Sequence, residues 1–393
     1  MTNRQLFQSF VAPTSEAPLG FEVARAEACY LYDEAGKAHL DLISGISVAN
    51  IGHRHPKVVA AIKAQADAYL HTMVYGEHIQ SPQVQLAQLL VRLLPANLNS
   101  VYFTNSGSEA TEGAMKLAKR VTGRTEFVSF EKSYHGSTQG ALSLMGGEYF
   151  KQAFRPLLPD TRHIRFNNLE DLQQITTATA AVFCETIKAE AGVQVIDANY
   201  FKALRERCSE VGALLVLDEI QTGLGRSGKL FSFEHWNIVP DILLLGKALG
   251  AGLPLAAFIA DKNLMQQLSY QPVLGHITTF GGNPLCCAAS KAGIEVLLKN
   301  KHWMDVCQRE TLLRKGLVHP KIKAIRSFGF LMAMELDSFD TCVKLMHAAM
   351  AKGVLVDWFL FAENCIRIAP PLCITEEELQ HAITVLISCL DEC

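Results

Sequence analysis

Three short runs in this chain carry no strongly polar side chain: Ala180-Ala181-Val182-Phe183-Cys184, Ala213-Leu214-Leu215-Val216-Leu217 and Ile242-Leu243-Leu244-Leu245. A strand with one wet face alternates polar and apolar residues. A strand covered on both faces does not, and that happens where helices flank a parallel sheet. Helical patterns lie between the runs, as at Asn199 to Val211. Earlier, Val101-Tyr102-Phe103-Thr104 reads as a strand, Ser108 to about Val121 as a helix and Glu126 to Phe130 as another strand. The chain is therefore expected to be α/β, with a large domain at 55–280 built on a mostly parallel mixed sheet flanked by helices. The ends read differently. Residues 21–50 alternate in a hairpin-like way, with a turn at Asp33 to Gly36 between Tyr30-Leu31-Tyr32 and Ala38-His39-Leu40. Residues 284–393 mix helices with strands such as Gly329 to Glu335. Residues 1–54 and 281–393 are expected to form together a smaller α+β domain.

A net charge of −3 gives no basic surplus for nucleic acid. The apolar stretch from Ile242 to Ala260 approaches the length of a membrane span, but Lys247, glycines and Pro254 interrupt it, so it reads as buried core. The first twenty residues contain no apolar signal-peptide core. The eleven cysteines are odd in number and form no CxxC pair, which suits reduced thiols serving as small core residues. Cys389 and Cys393 are expected in a frayed tail. These features together predict a cytoplasmic protein.

In open α/β sheets, ligands gather at the carboxyl ends of the strands. After the first strand comes Asn105-Ser106-Gly107-Ser108-Glu109-Ala110, whose small residues and following helix suit a phosphate. A plain N-cap by Ser108 explains the stretch equally well by itself. Asp218 follows five apolar residues, where an acid can ligate a metal, cap a loop or pair with a ring nitrogen. Gly223 to Gly228, GLGRSG, matches the dinucleotide pattern GxGxxG. Its context is wrong: residues 218–222 separate it from the strand, and Lys229 to Phe233 do not read as a helix. A nicotinamide-dependent oxidoreductase is thus a weak alternative. Lys247 ends the strand 242–245. Burial lowers a lysine's pKa, and a neutral amine is a nucleophile that forms a Schiff base with an aldehyde. The alternative is that Lys247 snorkels to water or pairs with an acid. A lysine, an anion cradle and a strand-end acid together are what pyridoxal phosphate requires.

The chain also resembles the class III aminotransferases, in the subgroup of acetylornithine and ornithine aminotransferases. The resemblance rests on NSGSEATEGAMKLAK at 105–119, SYHGS at 133–137, LDEIQTGLGRSG at 217–228, LLLGKALGAGLPLAA at 243–257, TTFGGNPL at 278–285 and IRIAPPL at 366–372. GKAHLDLISGISVANIGHRHP at 36–56 fits as well. It implies the fold type I of pyridoxal-phosphate-dependent transferases. It implies that Lys247 holds the cofactor and shuttles a proton between Cα and C4′, that Asp218 pairs with the pyridine nitrogen, and that Gln221 lies near the phenolic oxygen. Gly107 and Ser108 would bind the phosphate, Tyr134 would stack on the ring, and Thr279 would reach the phosphate of a neighbouring subunit in a homodimer with shared active sites. Arg367 would clamp the carboxylate of glutamate or 2-oxoglutarate, with Glu190 as its alternate partner when the other substrate is bound.

Some positions depart from the family. Ornithine-type members have an arginine where this chain has Ser137, and a tyrosine where it has Glu16. The stretch ETIKAE at 185–190 puts Thr186 and Lys188 in place of a proline and a glutamine. Lys188 is expected to be a solvated loop charge rather than a replacement contact for substrate. The implied reaction moves an amino group by a ping-pong route from a terminal-amine donor to 2-oxoglutarate, giving glutamate. The donor can be ornithine- or acetylornithine-like, a diamine or an ω-amino compound, and Ser137 with Glu16 indicates one that needs no ornithine-like carboxylate. An aminomutase, racemase or decarboxylase of the same fold is the main alternative. A cofactor-binding protein without catalysis is a further one, opposed by the intact Lys247 and Asp218.

Overall fold

The computed structural model describes residues 1–393. Seven strands form the central sheet: β1 (Ser100–Thr104), β2 (Glu126–Phe130), β3 (Thr161–Ile164), β4 (Thr179–Cys184), β5 (Leu214–Asp218), β6 (Ile242–Leu245) and β7 (Ala256–Ala260). Their spatial order is β1-β7-β6-β5-β4-β2-β3. Only β7 runs against its neighbours. The connection 246–255 is shorter than the dozen or more residues that a parallel crossover needs, so β7 must return antiparallel. Every residue of β4, β6 and β7 is buried, as the unbroken apolar runs predict.

Helix α1 (Gly107–Thr122) follows β1 and packs across β6 and β7. Its N-cap is Ser106, whose hydroxyl accepts from Glu109 N at 3.2 Å, and not the expected Ser108. The cap two residues earlier leaves the amides of Gly107 and Ser108 in the first turn, without intrahelical acceptors.

The two ends of the chain meet. The hairpin at 30–32 and 38–41 forms with the expected turn, and its second strand pairs with Val354–Leu355. A separate antiparallel sheet places Ala362–Ile368 between Met332–Glu335 and Asp357–Phe359. Helix Pro284–Asn300 packs on Pro56–Ala68 and Ser81–Leu93. One apolar cluster of 61 buried residues runs from β5 to the final helix, Glu376–Glu392. It includes Cys389, so the expected frayed tail is instead a packed helix. A capping box at Thr375 and Glu378 starts it, and its apolar face anchors it. All eleven cysteines are free and eight are buried, as small core residues would be. No helix is long and apolar enough to cross a membrane.

The GLGRSG stretch opens no helix; residues 220–228 are turns. Its arginine is structural. Arg226 is fully buried and donates to the carbonyls of Phe330, at 3.2 Å, and Pro370, and to Asn50 Oδ1. It ties Asn50 near the N-terminal end to Phe330 and Pro370 in the C-terminal part.

Candidate active site

The carboxyl ends of β1, β2, β4, β5 and β6 converge on a cavity of about 390 Å³. Gly107 and Ser108 follow β1, Tyr134 and His135 follow β2, Glu185 follows β4, Asp218 ends β5 and Lys247 follows β6. The sequence brings them together only because the strands are parallel.

On one side stands the start of α1. An added Cβ at Gly107 would lie 2.8 Å from Ile220 Cδ1 and would push that side chain aside where the helix closes on the loop after β5. Gly136 has φ +129°, and a Cβ there would lie 2.3 Å from Ser108 Oγ. Ser108 Oγ accepts from Ser137 N at 3.2 Å. These contacts hold two free amides of a helix N-terminus against the cavity, a cradle for an anion.

At the floor lies Asp218, 6 % exposed. Its Oδ1 accepts from Ile220 N at 3.0 Å, and its Oδ2 lies 2.8 Å from His135 Nδ1. Burial alone would push His135 down, but the hydrogen bond and charge of Asp218, helped by Glu185, raise it. Glu185 Oε1 accepts from Tyr134 N at 3.1 Å, which fixes the start of the Tyr134 loop. Burial pushes Glu185 itself up to about 7, with His135 opposing.

Lys247 has φ +47°, a left-handed conformation that costs a non-glycine residue energy and concentrates at functional sites. Its Nζ donates to Gln221 Oε1 at 3.1 Å. Burial pushes its pKa down, against the pull of Glu190 and Asp218. Gln221 Nε2 is buried and has no partner, and so has a donor to offer a ligand.

A second cavity of about 390 Å³ shares Tyr134 and Lys247 with the first and is walled by Ile46, Glu190, Asp357, Trp358, Leu360 and Arg367. Arg367 is 2 % exposed. Its Nη2 donates to Glu190 Oε2 at 2.8 Å and to the Trp358 carbonyl at 2.9 Å, and the Phe359 ring lies 4.6 Å from its Cζ.

Other expected residues stand apart. Thr279 is exposed and lines neither cavity. Glu16 is also exposed and lines neither cavity. Ser137 is exposed, its Oγ 3.1 Å from the Tyr134 hydroxyl. Lys188 is not the expected solvated loop charge. It is 2 % exposed in a two-stranded ladder, Ile187–Lys188 with Gln194–Val195. Its Nζ donates to the Glu131 carbonyl and lies 4.8 Å from the Phe166 ring centroid. Burial pushes it down to about 8, opposed by Glu185. Thr186 is buried too, its Oγ1 donating to Ser232 Oγ at 2.9 Å. His135, Glu185 and Asp357 received no role from the sequence. The first two stood inside quoted motifs, SYHGS and ETIKAE. Asp357 is marked only by opening the aromatic run DWFLF.

The donor set fits one cofactor. The unpaired amides of α1 suit a phosphate, Asp218 suits a protonated ring nitrogen, and Lys247 suits an aldehyde, all around a space that holds a flat ring. The fold and site thus define a pyridoxal-phosphate enzyme of fold type I. The profile of the family Aminotransferase class-III matches residues 11–390, and the chain belongs to that family. Acetylornithine aminotransferase of Methanocaldococcus jannaschii is 38 % identical over 379 residues, 92 % of this chain and 90 % of that one. Putrescine aminotransferase of Pectobacterium atrosepticum is 39 % identical over 372 residues, 90 % of this chain and 78 % of that one. The ornithine aminotransferase structure from Toxoplasma gondii, in which pyridoxal phosphate partially occupies the active site, superposes with a TM-score of 0.90 at 30 % identity, covering 99 % of this chain and 93 % of that one. The protein is a pyridoxal-phosphate-dependent aminotransferase.

Proposed function

We propose that the chain moves an amino group from a terminal amine to 2-oxoglutarate, giving glutamate, in two half-reactions at one site. The Glu190–Arg367 pair, 2.8 Å apart in the cavity that shares Lys247, carries the reading. A terminal amine has no carboxylate beside its reacting carbon, and 2-oxoglutarate has one. With Glu190 on Arg367 the guanidinium is masked for the amine. With Glu190 turned away it can grip a carboxylate through two N–H bonds. One cavity so accepts two unlike substrates in turn.

Pyridoxal phosphate, when bound, supplies the electron sink for the carbanion at the substrate carbon. The chain does the rest. The amides of Gly107 and Ser108 hold the phosphate, and Thr279 reaches the phosphate of a neighbouring copy. Tyr134 covers one ring face. Asp218 keeps the ring nitrogen protonated, and His135 keeps Asp218 in place. Gln221 directs its free Nε2 to the phenolic oxygen. Lys247 holds the cofactor and then takes the proton from the donor carbon through Nζ, whose charged form burial disfavours.

Terminal amines are common to the acetylornithine, ornithine and putrescine named for the relatives, which supports that donor class. Ser137 and Glu16 leave its far end without the family's carboxylate-binding groups. The homodimer draws support from the exposed apolar residues Leu70, Met73, Ile79, Ile277 and Phe280, the last of them next to Thr279. A division into a large domain, 55–280, and a small one, 1–54 with 281–393, and a cytoplasmic location complete the reading.

The test is the visible spectrum of the purified protein during titration with ornithine, acetylornithine, diamines, ω-amino acids and glutamate. A yellow band that bleaches with a terminal amine and returns with 2-oxoglutarate is the expected result. Bleaching by glutamate alone would overturn the donor assignment.

A further inference from the structure

Ser44, Gly45, Ile46 and Ser47 have φ of +48°, +60°, +60° and +64°, four left-handed residues in a row. Such residues ordinarily occur singly, because Cβ crowds the following carbonyl oxygen. Ser47 N donates to the Ile43 carbonyl at 3.3 Å and Val48 N to the Ser44 carbonyl at 2.8 Å, which closes one turn of left-handed helix. Only Gly45 takes this conformation freely. Ile46 is the worst placed, since a β-branched side chain at positive φ is a steric outlier. Core packing does not repay the strain. Ile46 is half-buried and belongs to none of the three apolar clusters. It lines the cavity that holds Lys247 and Arg367, where Trp358 and Leu360 are the other aliphatic and aromatic walls beside Tyr134.

Buried polar groups enforce the turn. Asp41 is 1 % exposed. Its Oδ1 accepts from Ile43 N at 2.8 Å and from Ser44 N at 2.9 Å, and its Oδ2 lies 2.7 Å from His53 Nε2. Ser44 Oγ donates to the Ala369 carbonyl at 2.7 Å and accepts from Arg226 Nη2 at 3.3 Å. Strain of this kind persists only where the surroundings over-determine it, and it gathers at functional sites. We infer that Asp41 is a positioning residue of the transamination: it sets the left-handed turn that holds Ile46 as an apolar wall against bound substrate. The inference rests on the reading of this cavity as the substrate's and adds the device that shapes it. Without the two amide contacts the turn is free to relax to negative φ, which redirects the Cα–Cβ bond of Ile46.

The test combines thermal unfolding with single-turnover bleaching of the cofactor-loaded enzyme by acetylornithine, 1,4-diaminobutane and glutamate. The proteins are wild type, Ile46→Gly, Asp41→Ala, Asp41→Asn and the double variant Asp41→Ala with Ile46→Gly. Ile46→Gly should keep or raise Tm, because strain is relieved and no core contact is lost. It should nevertheless raise the half-saturating concentration of the reacting donors by about tenfold, with the limiting rate changed less than about threefold. Asp41→Ala should raise that concentration similarly. Asp41→Asn, whose amide oxygen can still accept from both N–H groups, should recover most of the loss. With glycine at 46, removing Asp41 should add less than about twofold, since no side chain is left to place. A Tm lowered by about 3 °C or more in Ile46→Gly would make Ile46 a packing residue and overturn the inference. So would an Asp41→Ala effect of equal size with isoleucine or glycine at 46. Ile46→Gly decides the matter by itself if Asp41→Ala does not fold. A wild type that holds the cofactor but bleaches with no terminal amine would overturn the donor reading, while Tm and the glutamate arm still judge the turn.

Discussion

The His135–Asp218 contact predicts a specific dependence of stability on pH. His135 is wholly buried, its Nδ1 lies 2.8 Å from Asp218 Oδ2, and that oxygen has no other hydrogen-bond donor. Its pKa is raised in the fold: burial disfavours the charged ring, but Asp218 and Glu185 outweigh it. A group whose folded pKa is raised stabilises fully below its unfolded pKa, about 6.5 for histidine, and loses that contribution as pH rises through the folded value. The slope in between approaches about 1.4 kcal/mol per pH unit. His135→Asn preserves a polar side chain of similar reach but cannot take up a proton. The charge-assisted bond it removes is worth about 2 kcal/mol. A chain of 393 residues has an unfolding entropy near 0.8 kcal/mol/K, so Tm should fall by roughly 2–3 °C at pH 6. Thermal unfolding of both proteins, with the cofactor removed and with it bound, would be followed from pH 6 to 8.5. The gap between wild type and variant should narrow as pH rises. A gap that stays constant would mean that His135 is neutral at every pH tested, and a gap that widens would reverse the sign of the argument. In an Asp218→Asn background the same substitution should cost much less, since its charged partner is gone.

Gly136→Ala should lower cofactor affinity by about ten- to a hundredfold in equilibrium dialysis, because the new Cβ meets Ser108 Oγ at 2.3 Å and a left-handed φ adds strain of about 1–3 kcal/mol. Glu190→Gln should weaken the lock on Arg367; the single-turnover rate with glutamate should rise by about tenfold while that with a terminal amine falls, and parallel loss with both would remove the switch from the mechanism.

What the sequence revealed and what it hid divide along one physical line. Glu126–Phe130 and Ile242–Leu245 have the bounds expected from the sequence, and Leu214–Asp218 is shifted by one residue from the apolar run 213–217. A run of apolar residues must leave water whatever covers it, so its local chemistry suffices. The strand-end chemistry was legible for a related reason: Lys247 and Asp218 break apolar runs, and an interruption of that kind stands out. Lys188 and Asp357 carried no comparable mark. Lys188 is held by a carbonyl 57 residues away and by the Phe166 ring, with Gln194 Oε1 at 3.4 Å as a further acceptor. Asp357 acquires its meaning from Arg367, across a ladder whose register belongs to the assembled sheet. Burying a charge requires named partners, and partners distant in sequence are set by topology rather than by neighbours. Residues at strand ends therefore follow from a pattern the sequence shows, whereas buried charges such as Lys188 and Asp357 follow from partners that only the assembled fold supplies.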